Sequence, residues 1–142
     1  MRILLISGFL SLMVWFVFEH LVIVTSNSID HRAFWKTDQT PKKGDYVLFD
    51  LRHELVGLDA VRLTKRIACG PGELLEKKDH QFLCDGTLLG HAKLANKLPA
   101  FKFEGVIPEN EGFVMGTHED SFDSRYFGLV DLSKAIVLKV IF

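Results

Sequence analysis

Two hydrophobic patterns divide this chain. Residues 3–18 carry no charge and are apolar almost throughout, while the rest breaks into short apolar and β-branched runs separated by Gly, Pro and Asp. Coiled into a helix, the uncharged stretch would reach about 24 Å, against a hydrocarbon core of about 30 Å. Glu19 and His20 would then fall at the interface, and the run LVIV at 21–24 follows at once. No small-residue A-x-A cleavage pattern lies between Phe18 and Ser28, so a retained anchor is expected rather than a removed leader. The single Arg2 before the stretch favours an N-in, C-out orientation.

Beyond the anchor, strands are expected at 21–25, 45–51 (DYVLFDL, after the turn PKKG), 58–68, 73–77, 81–84, 113–116 and 135–142. The run CGPG at 69–72 is a turn, and 73–77 with 81–84 forms a hairpin arm closing at Asp85-Gly86. Only 89–97 reads as weakly helical. Short strands at this spacing predict a compact, mostly antiparallel β domain over residues 25–142, with residues 1–24 forming the anchor and the start of the first strand.

Composition narrows the function. Of 142 residues, 17 are Lys or Arg and 18 are Asp or Glu, so no basic face for nucleic acid is expected. Cys69 and Cys84 are the only cysteines; they would pair in an exported domain and stay free in a cytosolic one. Two cysteines make neither a zinc site nor a redox motif, and no metal or other cofactor is called for. The six histidines lie in no triad setting, although His118 falls within a block described next.

A serine nucleophile needs an adjacent base, and lysine can serve only when burial makes its neutral amine available. Lys65 sits between Leu63 and Ile67, and strand alternation puts all three on one face while Arg66 points the other way. Three blocks follow in order. They are Ser26-Asn27-Ser28-Ile29; Thr64-Lys65-Arg66-Ile67-Ala68-Cys69-Gly70-Pro71-Gly72-Glu73; and Val114-Met115-Gly116-Thr117-His118-Glu119-Asp120-Ser121-Phe122-Asp123-Ser124-Arg125-Tyr126-Phe127-Gly128. Together they resemble the S-x-S-M, K-R-V-x-G-x-P-G-D and V-M-G-D-N-x-x-x-S-x-D-S-R-x-x-G boxes of bacterial type I signal peptidases. A weaker fourth match, Lys43-Gly44-Asp45-Tyr46-Val47-Leu48-Phe49, is similar to the strand before the base.

The resemblance implies a signal-peptidase fold with one N-terminal transmembrane helix. It implies Ser28 as nucleophile, Lys65 as general base, and an oxyanion site from the Ser28 N–H and the Ser26 hydroxyl. Ser121 would orient the lysine, and Asp123 with Arg125 would form a supporting ion pair. The implied partners are precursor leader peptides, the lipid bilayer, and a conjugation or secretion machinery. The implied location is the bacterial inner membrane, single-pass, with the catalytic domain on the periplasmic side.

The chain departs from the general secretory enzymes in having Asp30 where a proline is usual. It also has Thr117 where Asp is usual, with one residue fewer in that block. Phe34-Trp35 after the nucleophile and the ending Ser-Phe-Asp-Ser-Arg-Tyr-Phe-Gly look closer to the conjugative-transfer (TraF-type) peptidases. A transfer pilin would then be the substrate. The alternatives are a housekeeping signal peptidase and a non-catalytic scaffold of a secretion or conjugation complex.

Overall fold

The computed structural model describes residues 2–57 and 59–142. Helix α1 (Arg2–His20) comes first, continuous because no proline interrupts its apolar sequence. It passes into strand β1 (Leu21–Ile23) with no linker. β1 pairs antiparallel with β2 (Ala33–Thr37), setting Leu21 opposite Trp35 and Ile23 opposite Ala33. The block 26–29 is therefore in the loop of a hairpin.

The expected N-terminal membrane-spanning helix is only partly recovered. The helix forms, but among the described residues none is long and apolar enough to cross a membrane. The physical reason is length: the uncharged part falls short of a bilayer core, and α1 begins at Arg2 and ends on Glu19 and His20.

The strands that follow are β3 (Tyr46–Leu51), β4 (Val61–Cys69), β5 (Leu74–Lys78), β6 (Gln81–Cys84), β7 (Thr87–His91), β8 (Gly105–Val106), β9 (Glu111–Met115), β10 (Val130–Asp131) and β11 (Ile136–Val140). A one-turn helix α2 (Ser124–Phe127) lies between β9 and β10. Among the described residues the strands make a seven-stranded sheet, ordered β1-β2-β11-β3-β4-β9-β10, and a four-stranded one, ordered β7-β6-β5-β8. All pairings are antiparallel, as the strand spacing predicts.

The main core lies on one face of the larger sheet, where Val47, Ile67, Val114 and Val137 are almost fully buried. A second cluster, around Phe82 and Phe113, sits between the sheets. The Cys69–Cys84 disulfide runs through it and ties the end of β4 to β6, which settles the open pairing. A third cluster packs Ile29, Phe34, Leu48 and Leu138 beneath the loop that holds Ser26 and Ser28.

Three local expectations need correction. The segment 89–97 is not helical as a unit: β7 runs to His91, and a single 3-10 turn covers Lys93–Asn96. Pairing to β6 captures its first half, and Gly90 weakens any helix there. Asp85-Gly86 closes β6 onto β7 rather than the β5–β6 arm, which turns at Asp79-His80. Positive φ at both Asp85 (47°) and Gly86 (76°) suits the tight two-residue turn from Cys84 to Thr87. The strand expected from Leu58 begins at Val61, and Leu58 itself lies outside the described residues.

Candidate active site

The site is assembled from three pieces of chain. The first is the hairpin loop carrying Ser26 and Ser28. Ile29 is 1% exposed and seats this loop in the third core cluster, so the residue after Ser28 fixes its backbone. The Ser26 and Ser28 hydroxyls lie 2.9 Å apart. Arg32 braces the loop from the far side of the hairpin, donating to the Ser26 carbonyl (2.7 Å) and to Asn27 Oδ1 (2.9 Å). Asp30 is exposed.

The second piece is β4. Its register puts Lys65 opposite Val47 in an apolar row, and the side chain is 2% exposed. Arg66, on the opposite face, is exposed and donates to the Gly44 carbonyl. Lys65 Nζ donates to Ser121 Oγ at 2.8 Å. Burial pushes its pKa down to about 8; the nearby Asp123 carboxylate opposes that shift, and Arg125 adds to it. Lysine normally titrates near 10.4, so a substantial neutral fraction is available at mildly alkaline pH.

The third piece is the loop from Gly116 to Asp123. Thr117 N–H donates to the Ser28 carbonyl at 2.8 Å, joining this loop to the Ser28 backbone. A Cβ on Gly116 would stand 2.2 Å from Ser121 Oγ and 2.4 Å from the Ser28 carbonyl oxygen. Only glycine lets these groups close on one another. The Thr117 side chain is exposed, so its departure from Asp leaves the backbone contact untouched.

Asp123 and Arg125 hold this third piece together. Both are buried, and the Asp123 carboxylate takes Arg125 Nε and Nη2 at 2.8 and 2.7 Å in a two-pronged pair. The same carboxylate accepts Gly116 N–H at 3.0 Å. The guanidinium also donates to the carbonyls of His91 (2.8 Å), Ser121 (3.2 Å) and His118 (3.4 Å). Burial works against the Arg125 charge, but hydrogen bonding and attraction from Asp123 outweigh it and raise the pKa. The pair thus reaches the loops on either side, unlike a surface salt bridge.

The structure therefore brings Ser28, Lys65, Ser121, Asp123 and Arg125 into one neighbourhood, with Ser26 beside Ser28. Among the described residues Lys65 and Ser28 share no direct hydrogen bond, and Ser121 stands next to the amine instead. The sequence reading passed over Arg32, a lone polar residue with no marked spacing, and the closing role of Gly116. Position 116 had a signal, since it lies inside the third block.

Beside Gly116 and Thr117 lies a groove of about 420 Å³ with Ile67, Ala68 and Leu89 in its wall and Lys43 and Arg66 at its edge. Among the described residues, Cys69, Glu73 and Cys84 form the one cluster with metal-ligand geometry, but both sulfurs are committed to the disulfide.

Lys65 and Ser121 thus form a buried amine–hydroxyl pair, joined to the Ser28 loop through the Thr117 N–H. The chain matches the family described as signal peptidase, peptidase S26, over residues 1–141. It belongs to that family and is a serine peptidase of the signal-peptidase type. A crystal structure of a signal peptidase I from Enterococcus faecalis V583 is similar, at 25% identity and a TM-score of 0.47; the match covers 70% of this chain and 96% of that one. No curated protein matches the chain.

Proposed function

We propose that this chain is a membrane-anchored endopeptidase with a Ser28–Lys65 dyad that removes leader peptides from exported precursors. The observation that carries the reading is Lys65: a lysine buried to 2% exposure, its pKa drawn down to about 8, one hydrogen bond from the loop that closes on Ser28. A core has no structural need for such a group, because burying a lysine without a counter-charge at contact distance is costly.

In this reading the neutral Lys65 amine takes the Ser28 proton as Oγ attacks the scissile carbonyl. The tetrahedral oxyanion is received by the Ser28 N–H and the Ser26 hydroxyl, which already sits against Ser28 Oγ. As the tetrahedral intermediate collapses, Lys65 passes that proton to the departing amine of the mature protein, which leaves the leader as an acyl-serine and Lys65 neutral again. Lys65 then activates water to release the leader. Ser121 holds the amine in place, and the Asp123–Arg125 pair holds Ser121.

Membrane attachment is supported by α1, where Phe9, Leu10, Leu12, Trp15 and Phe18 are all more than half exposed and need an apolar surround. In this arrangement residues 1–24 attach the chain to the inner membrane, and residues 25–142 are the peptidase domain on its periplasmic side. The Phe34-Trp35 pair favours a conjugative-transfer peptidase, and hence a pilin or transfer-apparatus precursor, over a housekeeping enzyme.

The test is cleavage of candidate precursors by the full chain in membranes, read by mass, with Ser28→Ala beside the wild type. Cleavage that vanishes in the variant supports the reading, and the accepted precursor identifies the pathway. Cleavage that persists in Ser28→Ala removes Ser28 as nucleophile. Failure of the folded wild type to cut any precursor removes the leader-peptidase assignment.

A further inference from the structure

One group of contacts takes no part in the chemistry just described. Trp35 lies on β2 directly under the end of α1, with its ring stacked on His20 (5.4 Å, 20° between planes) and 6.0 Å from Phe16. Phe16 and His20 contact each other at 4.2 Å, and His20 Nδ1 bonds the Phe16 carbonyl. The next residue on β2, Lys36, donates to the Glu19 carbonyl at 2.8 Å. Side chains on both sides of β2 thus grip the last turn of the helix, and α1 enters β1 without a hinge.

The other end of the same hairpin grips the nucleophile. Arg32 holds Ser26 and Asn27, and Val24 N–H donates to the Arg32 carbonyl at 2.9 Å. From Trp35 back to Arg32 the chain covers about 10 Å, at roughly 3.3 Å per residue. The helix end and the Ser28 loop are therefore two ends of one short, doubly clamped strut. Aromatic rings of this kind settle at the membrane–water boundary, which gives the strut a fixed level in the bilayer.

We propose that Trp35 and Lys36 are positioning residues that set the height of Ser28 above the membrane, so that the enzyme selects a cleavage site by its distance from the substrate's own apolar segment. This deepens the leader-peptidase reading and rests on it. One residue of extended substrate is about 3.3 Å, and a misplacement of only about 1 Å can cost about a hundredfold in rate. A rigid strut therefore discriminates between adjacent spacings, and a loosened one does not.

The experiment uses the full chain in vesicles and the precursor accepted in the assay above. Its cleavage sequence is moved outward from the apolar segment by zero to six Gly-Ser residues. A soluble peptide bearing the same cleavage sequence, without the apolar segment, is the control. Wild type should prefer one spacing over those two residues away by about a hundredfold. Trp35→Ala should flatten this preference to about tenfold or less while cutting the soluble peptide at the wild-type rate, and Trp35→Phe should restore it.

A flat wild-type profile, or an unchanged profile in Trp35→Ala, overturns the proposal. If Trp35→Ala does not fold, Lys36→Met carries the test, since it removes one bond to the helix end; an unchanged profile there overturns the proposal equally. If wild type cuts neither the precursors nor the soluble peptide, it is the leader-peptidase reading that fails, and the strut's role falls with it.

Discussion

Replacing Lys65 by Met should abolish cleavage and at the same time make the protein more stable at neutral pH. The magnitude follows from the site. Lys65 titrates near 8 in the fold, against 10.5 for an exposed lysine. At neutral pH it is still mostly charged in both states, so the fold bears the whole difference, about 3 kcal/mol. Methionine has nearly the same length and no charge, and fits the row that Lys65 shares with Val47. Against that gain, Ser121 Oγ loses its partner at 2.8 Å, which costs about 1–2 kcal/mol. The net expectation is a gain of about 1–2 kcal/mol, or roughly 3–6 °C in Tm for a chain of this size.

The pH dependence has a definite sign. Because burial lowers the folded-state pKa, the unfolded chain holds the extra proton between about 8 and 10.5. Wild-type stability should therefore rise with pH through that window, while Lys65→Met should show no such rise. The advantage of the variant is full below about pH 8 and fades above it. Urea unfolding of both proteins in detergent micelles, followed by tryptophan emission at several pH values, measures this directly. Wild-type cleavage should climb with pH through about 8 and then level off. A variant less stable than wild type at neutral pH, or one whose advantage ignores pH, would refute the picture of a strained, buried amine.

Two further outcomes follow from the geometry. Gly116→Ala places a methyl group 2.4 Å from the Ser28 carbonyl oxygen and 2.2 Å from Ser121 Oγ, forcing the two loops apart by about 1 Å. Steady-state kinetics should show about a hundredfold loss in kcat with the fold retained at a cost of about 1–3 kcal/mol; near-wild-type turnover would show that the loops need not close. Cutting the Cys69–Cys84 bridge by Cys84→Ser should lower stability by about 3 kcal/mol, since it closes a loop of about 15 residues. A melting temperature indifferent to the substitution would remove the bridge as a structural staple.

How much of this was readable beforehand depends on what each element relies on. β3, β5, β6, β9 and β11 carry apolar runs ended by turn residues, and the chain forms strands at those places. β2 escaped notice because Ala33 and Phe34 are both buried, so the strand shows no alternation where it passes between β1 and β11. Helix α2 is a single turn started by the Asp123 side chain, which accepts Arg125 N–H, and a single turn has no periodicity to detect. The residues of the candidate site were legible as blocks because each block is a local piece of chain. What joins them was harder to see: Arg32 acts across a hairpin and leaves no pattern in the sequence, while Gly116 stands inside the third block but acts by lacking a side chain.

The way the pieces are joined also locates the conflict between stability and function. Among the described residues no buried side-chain nitrogen or oxygen lacks a hydrogen-bond partner, so the site is not strained through unmet polar groups. Even Asp123–Arg125, an ion pair that an apolar replacement could match for stability, has its donors and acceptors engaged with Gly116, His91, His118 and Ser121. The cost gathers at one atom, Lys65 Nζ, whose hydrogen bond goes to a neutral hydroxyl rather than to a carboxylate. Moving Asp123 into contact with that amine would relieve the cost, and would also hold the proton on the lysine and disable it as a base. Arg125 keeps the carboxylate occupied and turned toward the loop backbone. On this argument the ion pair serves the site twice: it fixes Ser121, and it keeps the nearest negative charge from neutralising the strain on which the proposed base, Lys65, depends.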